Sequence, residues 1–291
     1  MYTYKKVKEE KSTFDYDVTI PWNDIKKEYS TASDKLISQL EIQGFRKGKV
    51  PKSIGIKHLK KDSVYREVIK ELFPRIFDEI IKKEDLRPII NPKIELVKAK
   101  ENENWDIKIK IAIRPDFKLP DVKTLVKEIK SKHKKDDIWI PGKDKSKETT
   151  DKDKELQKQK LLNEILSSFL EKTNIDISDL IIEEELNSRL TRLVDDVQKI
   201  GLTTDAYLKS KNITMDQLKE KFSKEIQDTY KIEFLLNEIA DKEKIQVENA
   251  DLEKLFENIK DEAEKKTAKQ NAYLYAAILR KQKTLDYLIN L

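Results

Sequence analysis

In WDIKIKIAI, residues 105–113, isoleucine returns at every second position from Ile107 to Ile113, with lysine or alanine between. Strict alternation places all four isoleucines on one face of an extended chain, the pattern of a half-buried strand. TFDYDVTI, residues 13–20, repeats it with Phe14, Tyr16, Val18 and Ile20. Between these two stretches the period changes. Ile25, Tyr29, Ala32, Leu36 and Leu40 recur at spacings of three and four, which predicts a helix stopped near Gly44. Val64, Val68, Leu72, Ile76 and Ile80 share a face of a second helix, with Asp62 and Ser63 as caps and Pro74 inside it. Helices enclosed by separated strands read as an α+β domain.

Beyond Pro120 the texture differs. Residues 131–155, SKHKKDDIWIPGKDKSKETTDKDKE, are dense in Lys and Asp around Pro141-Gly142 and read as a charged linker, with IWI as a short strand within it. From Leu156 the period is helical throughout. Leu186, Leu190, Leu193 and Val197 share a face before Gly201. Thr214 and Gln217 form a capping box ahead of Leu218, Phe222, Ile226 and Tyr230. Asn249 is placed to cap a helix carrying Leu252, Leu255, Phe256 and Ile259, and a last helix carries Tyr273, Ala276, Ala277, Leu285 and Leu288. The second domain is therefore expected to be all-α.

Charge divides unevenly along the 291 residues. Residues 1–120 carry 27 basic and 20 acidic groups; residues 121–291 carry 33 and 35. The positive excess is N-terminal, which points to a polyanionic partner for that part. It is densest from Ile42 to Lys61, where Arg46, Lys47, Lys49, Lys52, Lys57, Lys60 and Lys61 meet no acid. Within this run lies GFRKGKVP, residues 44–51. Two glycines and Pro51 stiffen a loop between helices, with Phe45 at its tip. An exposed aromatic among cations suits a partner that combines phosphate with an apolar crevice.

Several chemistries find no residues. Cysteine is absent and His58 and His133 are the only histidines, so no thiolate nucleophile, cysteine-held metal or histidine triad is expected. Paired acids such as Asp195-Asp196 and the run Glu183 to Glu185 have no nearby histidine, cysteine or Gly-rich loop to work with and read as solvated helix surface. No catalytic residue, metal or cofactor is assigned. Nor does any segment approach a membrane span or a signal peptide, and a cytoplasmic location is expected.

GFRKGKVP, followed by a helix and then by ELFPRIFDEIIKKEDLRPIINPKIEL at 71–96, resembles the N-terminal ribosome-binding domain of the bacterial trigger factor family. In that family a Gly-Phe-Arg-x-Gly-Lys-x-Pro loop docks beside the nascent-chain exit tunnel. The resemblance covers residues 1–130. It implies a ribosome-associated chaperone, with Phe45, Arg46 and Lys47 touching protein and rRNA of the large ribosomal subunit, and Gly44, Gly48, Lys49 and Pro51 shaping the loop. Residues 156–291 are similar in length and pattern to the family's C-terminal domain, whose helical arms hold unfolded nascent polypeptides. Phe222, Tyr230, Phe234, Tyr273 and Tyr275 are the client-contact candidates there, although their periodic placement favours packing between helices. Family members also dimerise off the ribosome, so a homodimer is among the implied partners.

One departure from the family is large. An inserted prolyl isomerase domain of the FK506-binding type is usual between the two parts, and residues 131–155 are too few for it. Prolyl isomerisation by family inheritance is therefore the weaker alternative, together with a free basic RNA-binding protein.

Overall fold

The computed structural model describes residues 2–136 and 151–291, which group into two compact units. The first comprises residues 1–114 with Ser178–Glu184. Its frame is a four-stranded antiparallel sheet of β1 (Thr3–Glu10), β2 (Thr13–Ile20), β3 (Lys93–Lys98) and β4 (Trp105–Ala112), in the order β1-β2-β4-β3. The two alternating stretches are the central strands. Tyr16 pairs with Ile109 and Val18 with Ile107, so every second residue of both strands points to one face. That face is covered by α1 (Trp22–Gln39) and α3 (Lys61–Glu84), which bury Ile25 and Ala32, and Val64, Val68, Phe73, Ile76 and Ile80, against it. Each fully buried isoleucine contributes on the order of 1.5–3 kcal/mol relative to exposure, so this layer supplies most of the unit's stability. Trp105 closes the core at one end, its ring 5.3 Å from Tyr65, which in turn stacks on Tyr29 at 5.1 Å.

Two local expectations are corrected, and the helix expected after the GFRKGKVP loop is present. α1 stops at Gln39, where Leu40 N–H bonds back to Ile37, so Gly44 lies beyond the helix and serves a turn. α3 begins after Lys60, with Asp62 in its first turn and no side-chain cap, and it runs on through Pro74. Between them stands a short α2 (Lys52–His58).

The second unit comprises residues 115–177 and 185–291 and is entirely helical in its regular structure among the described residues. Its helices are α4 (Val122–Asp136), α5 (Asp151–Lys172), α6 (Asp179–Lys199) from Glu185 onward, α7 (Thr204–Lys211), α8 (Met215–Lys242), α9 (Asn249–Glu257), α10 (Glu262–Gln270) and α11 (Ala272–Asn290). α8 is the axis: Ile226, Phe234, Leu235, Leu236 and Ile239 are buried, and α5 and α11 pack on it through Ile165, Phe169 and Leu288. Thr214 and Gln217 do form the capping box at its start. The cap of α9 falls one residue earlier than read, at Glu248, with Asp251 reciprocating. At the end of α6 the Gly201 N–H bonds to Gln198 and the Leu202 N–H to Val197, the paired closure of a Schellman motif.

The first unit ends at Arg114, because α4 buries Val122, Leu125, Val126 and Ile129 in the helical unit and Lys130 Nζ donates to the Ile289 carbonyl at 2.5 Å. Helix also occupies 131–136 and 151–155 of the charged segment, while IWI and Trp139 lie outside the described residues.

Candidate docking loop

The acid-free run forms a loop fastened at both ends to one helix turn. The chain leaves α1 at Gln39, and Gly48 returns it so closely that a β-carbon there would stand 3.5 Å from the Ser38 carbonyl. Val50 is then buried, and Gly55 of α2 packs so tightly on Ile37 that a β-carbon would meet its Cγ1 at 2.7 Å. A compact loop whose ends are close is held by its own base.

Between these anchors the chain makes two consecutive turns. Phe45 N–H donates to the Ile42 carbonyl at 3.0 Å, and Lys49 N–H to the Arg46 carbonyl at 2.9 Å. Gly44 and Gly48 occupy the third position of each, with φ of 91° and 77°. That position of a type II turn demands a positive φ, which a residue with a β-carbon adopts only at a cost. Phe45 and Arg46 are thereby fixed at the joint between the turns. All residues from Gln43 to Lys49 are exposed, and the Phe45 ring retains 39% of its surface.

The cations of the loop are largely uncommitted. Lys47 Nζ lies 3.3 Å from Glu41, a pair exposed on both sides and worth little in water. Lys52 pairs with Asp34 and Lys61 with Glu101, at 2.6 and 2.8 Å. Arg46, Lys49, Lys57 and Lys60 have no carboxylate within ion-pair distance among the described residues. All seven expected loop residues, Gly44, Phe45, Arg46, Lys47, Gly48, Lys49 and Pro51, are thus brought into one feature.

The five aromatic candidates of the helical unit separate. Phe234 is buried in α8, its ring 6.1 Å from Tyr230, and offers no surface to a partner. Phe222 and Tyr230 are half-buried, as is Tyr275, which packs edge-on against Phe256 at 5.6 Å. Only Tyr273 stands open, at 85% exposure, and Leu274 and Ile278 are exposed beside it on the first turns of α11. Ile200 and Leu202 flank Gly201 as a second exposed apolar tip. Sequence reading missed these four residues: Leu274 and Ile278 have the spacing of core helix positions, and Ile200 and Leu202 lie at the turn after α6, where no periodicity marks exposure. Among the described residues no group of His, Asp and Glu side chains could hold a metal ion, and no helix is long and apolar enough to cross a membrane.

A basic, turn-stiffened tip on a small α+β unit, with a unit of long helices beside it in sequence, defines a class of two-part binding proteins. The family model described as bacterial trigger factor protein matches residues 2–139, and the one described as bacterial trigger factor protein C-terminus matches residues 143–290. The chain belongs to the bacterial trigger factor family. Three residues separate the two matches, so the chain lacks a middle domain between them.

Curated relatives named trigger factor include that of Desulfotalea psychrophila, 36% identical over 108 residues, 37% of this chain and 24% of the relative. That of Lactococcus lactis subsp. cremoris (strain SK11) is 22% identical over 186 residues, 64% of this chain and 40% of the relative. These matches span about a quarter to two-fifths of the relatives' length. A solved structure described as "Promiscuous Substrate Recognition in Folding and Assembly Activities of the Trigger Factor Chaperone" is similar with a TM-score of 0.65 at 15% identity, over 99% of both chains. At that identity the likeness shows the fold.

Proposed function

We propose that the protein is a cytoplasmic chaperone that docks on the large ribosomal subunit through the Phe45 loop and shields emerging polypeptide with its helical unit. The observation that carries this reading is the tip itself: a partly exposed aromatic residue set between two positive-φ turns, beside Arg46 and Lys49, which have no carboxylate within ion-pair distance among the described residues, and Lys47, whose pair with Glu41 is exposed on both sides. Arg46, Lys47 and Lys49 supply the long-range attraction to rRNA phosphates, and the ring gains its contact area only once docked. Gly44, Gly48 and Pro51 hold the geometry.

Client binding follows from weak, adaptable contacts. The exposed side chains of Tyr273, Leu274 and Ile278, with Ile200 and Leu202, each offer apolar area at about 25 cal/mol per Å². A contact of about 100 Å² is worth roughly 2.5 kcal/mol, enough to retard a client in combination and too little to trap it alone. The Lys- and Glu-rich helix faces keep the empty surface in water. A family member described by promiscuous substrate recognition has the same fold, which supports this reading.

The test is suppression of aggregation of a chemically unfolded client. Replacing Tyr273, Leu274 and Ile278 together by serine is expected to weaken suppression by more than the accompanying loss of helix stability, which is read separately by thermal unfolding because Leu274 and Ile278 are each about half covered. Equal suppression by the variant would remove the α11 surface from the client site.

A further inference from the structure

The loop is not the only part of the acid-free run that presents apolar surface among free cations. α2 follows directly, with Pro51 at its N-cap position. Gly55 and the half-buried Ile54 turn inward, Gly55 onto Ile37. With 3.6 residues per turn, Lys52, Ser53, Ile56 and Lys57 fall within an arc of about 140° on the outer side. Ile56 is 52% exposed on this arc, more than Phe45 itself. Lys57 and Lys60, the latter at the N-cap of α3, have no carboxylate within ion-pair distance among the described residues.

A single exposed isoleucine is ordinary on a protein surface. Here it lies in the acid-free run from Ile42 to Lys61, where Arg46, Lys49, Lys57 and Lys60 have no carboxylate within ion-pair distance among the described residues, and it follows the tip in sequence. Seven residue steps link Phe45 to Lys52, which bounds their separation at about 25 Å even if the chain were fully extended, and the two turns shorten it. A partner as large as a ribosomal subunit that engages the loop is therefore within reach of α2. Charge selects its chemistry: an exposed apolar side chain followed in sequence by two ammonium groups with no carboxylate in ion-pair distance matches a sugar-phosphate backbone, where the cations meet phosphates and the methyls rest on sugar.

We propose that the outer face of α2, through Ile56 and Lys57, together with Lys60 at the start of α3, forms a second contact of the docking surface and lies on the backbone of structured ribosomal RNA. This rests on the docking reading of the Phe45 loop and extends it. The loop would supply register, α2 additional sequence-independent affinity.

The experiment measures affinity of the full chain for isolated large ribosomal subunits from low to moderate salt, for four proteins: wild type, Lys57→Ala with Lys60→Ala, Ile56→Ala, and the Phe45, Arg46 and Lys47 triple alanine variant. Each phosphate contact contributes roughly 0.7–0.9 to the slope of log affinity against log salt. Loss of Lys57 and Lys60 should flatten that slope by roughly 1.4–1.8, so the advantage of wild type shrinks about tenfold between about 50 and 200 mM salt. Ile56→Ala should weaken binding several-fold with the slope unchanged. All the substituted side chains are exposed, and circular dichroism checks that the fold persists.

Wild-type affinity and slope in the Lys57/Lys60 variant, with binding abolished in the triple variant, overturns the α2 contact and leaves the loop reading intact. Weaker binding with an unaltered slope assigns α2 to a protein surface and overturns the RNA assignment. Unaltered binding in every variant overturns the α2 contact and the loop reading together.

Discussion

Replacing Gly44 by alanine isolates what the loop conformation contributes to docking. A β-carbon at this position meets no atom within 4 Å, so the change adds no clash. What it adds is backbone strain, because φ is 91°. A non-glycine residue held there costs about 1–2 kcal/mol, a factor of roughly 5–30 against the native loop conformer. Since the loop is exposed on all sides, it can relieve that strain by changing shape without disturbing the sheet or α3. The fraction of molecules with a docking-competent loop falls, and the measured dissociation constant for ribosomes rises in proportion, by up to roughly 5–30-fold. Gly48→Ala should behave alike: its φ is 77° and its β-carbon would stand at an ordinary 3.5 Å from Ser38 O. Asparagine, which tolerates positive φ better, should fall between glycine and alanine. The assay is ribosome affinity beside thermal unfolding of the same proteins. If Gly44→Ala binds as wild type, or if it binds worse only in proportion to a general loss of fold, the preformed double turn is not what docks.

Other outcomes follow from specific contacts. Gly55→Ala gains up to about 1 kcal/mol of helix propensity but drives a β-carbon to 2.7 and 2.8 Å from Ile37 Cγ1 and Cγ2, which a β-branched side chain cannot yield by rotating freely. Overpacking of about 1–3 kcal/mol should win, read as faster amide exchange in α2 and partly rescued by Ile37→Ala. Asp251 accepts from Lys283 and from the Glu248 N–H, and both hold its carboxyl below the usual range. Its contribution is present above the unfolded aspartate pKa of about 3.9 and lost as pH falls through the lower folded value. The melting difference between wild type and Asp251→Asn should therefore be visible at neutral pH and vanish in acid. Burial and Glu84 push the Tyr16 phenol up to about 12, so its contribution is complete below the ordinary phenol range near 10 and is lost as pH rises through 12. Tyrosinate absorbance in alkali should show a late-titrating group of phenols that includes Tyr16 and Tyr287, and Tyr16→Phe should reduce the amplitude of that late phase by one tyrosine. Purified protein should not accelerate isomerisation of a prolyl peptide; acceleration comparable to a true isomerase would contradict the assignment.

The parts of the fold that were legible in sequence are those whose chemistry is one-sided. β2 and β4 are central strands with one face buried, so their alternation is sharp. β1 and β3 are edge strands: TYKKVKEE and KIELVK are exposed over most of both faces and show no pattern to read. The hairpin between β1 and β2 was equally silent. Lys11 and Ser12 adopt φ of 46° and 57° in a two-residue turn, without the Asn or Gly that usually announces one. α4 escaped notice because its apolar positions 122, 125, 126 and 129 run into the charge-dense segment that drew the boundary. In the site, the loop was legible because an aromatic residue stands between two glycines and a proline inside a run of seven cations with no acid in sequence. Exposure on α11 could not be read, since Tyr273, Leu274 and Ile278 share the same spacing as buried helix positions and differ only in having no neighbour above them.

Docking through the tip is tested most directly by co-sedimentation with ribosomes at near-physiological salt, comparing wild type with a variant carrying alanine at Phe45, Arg46 and Lys47. The account requires wild type to pellet with ribosomes and the variant to remain in the supernatant with its fold intact. Equal pelleting of the two proteins would contradict it.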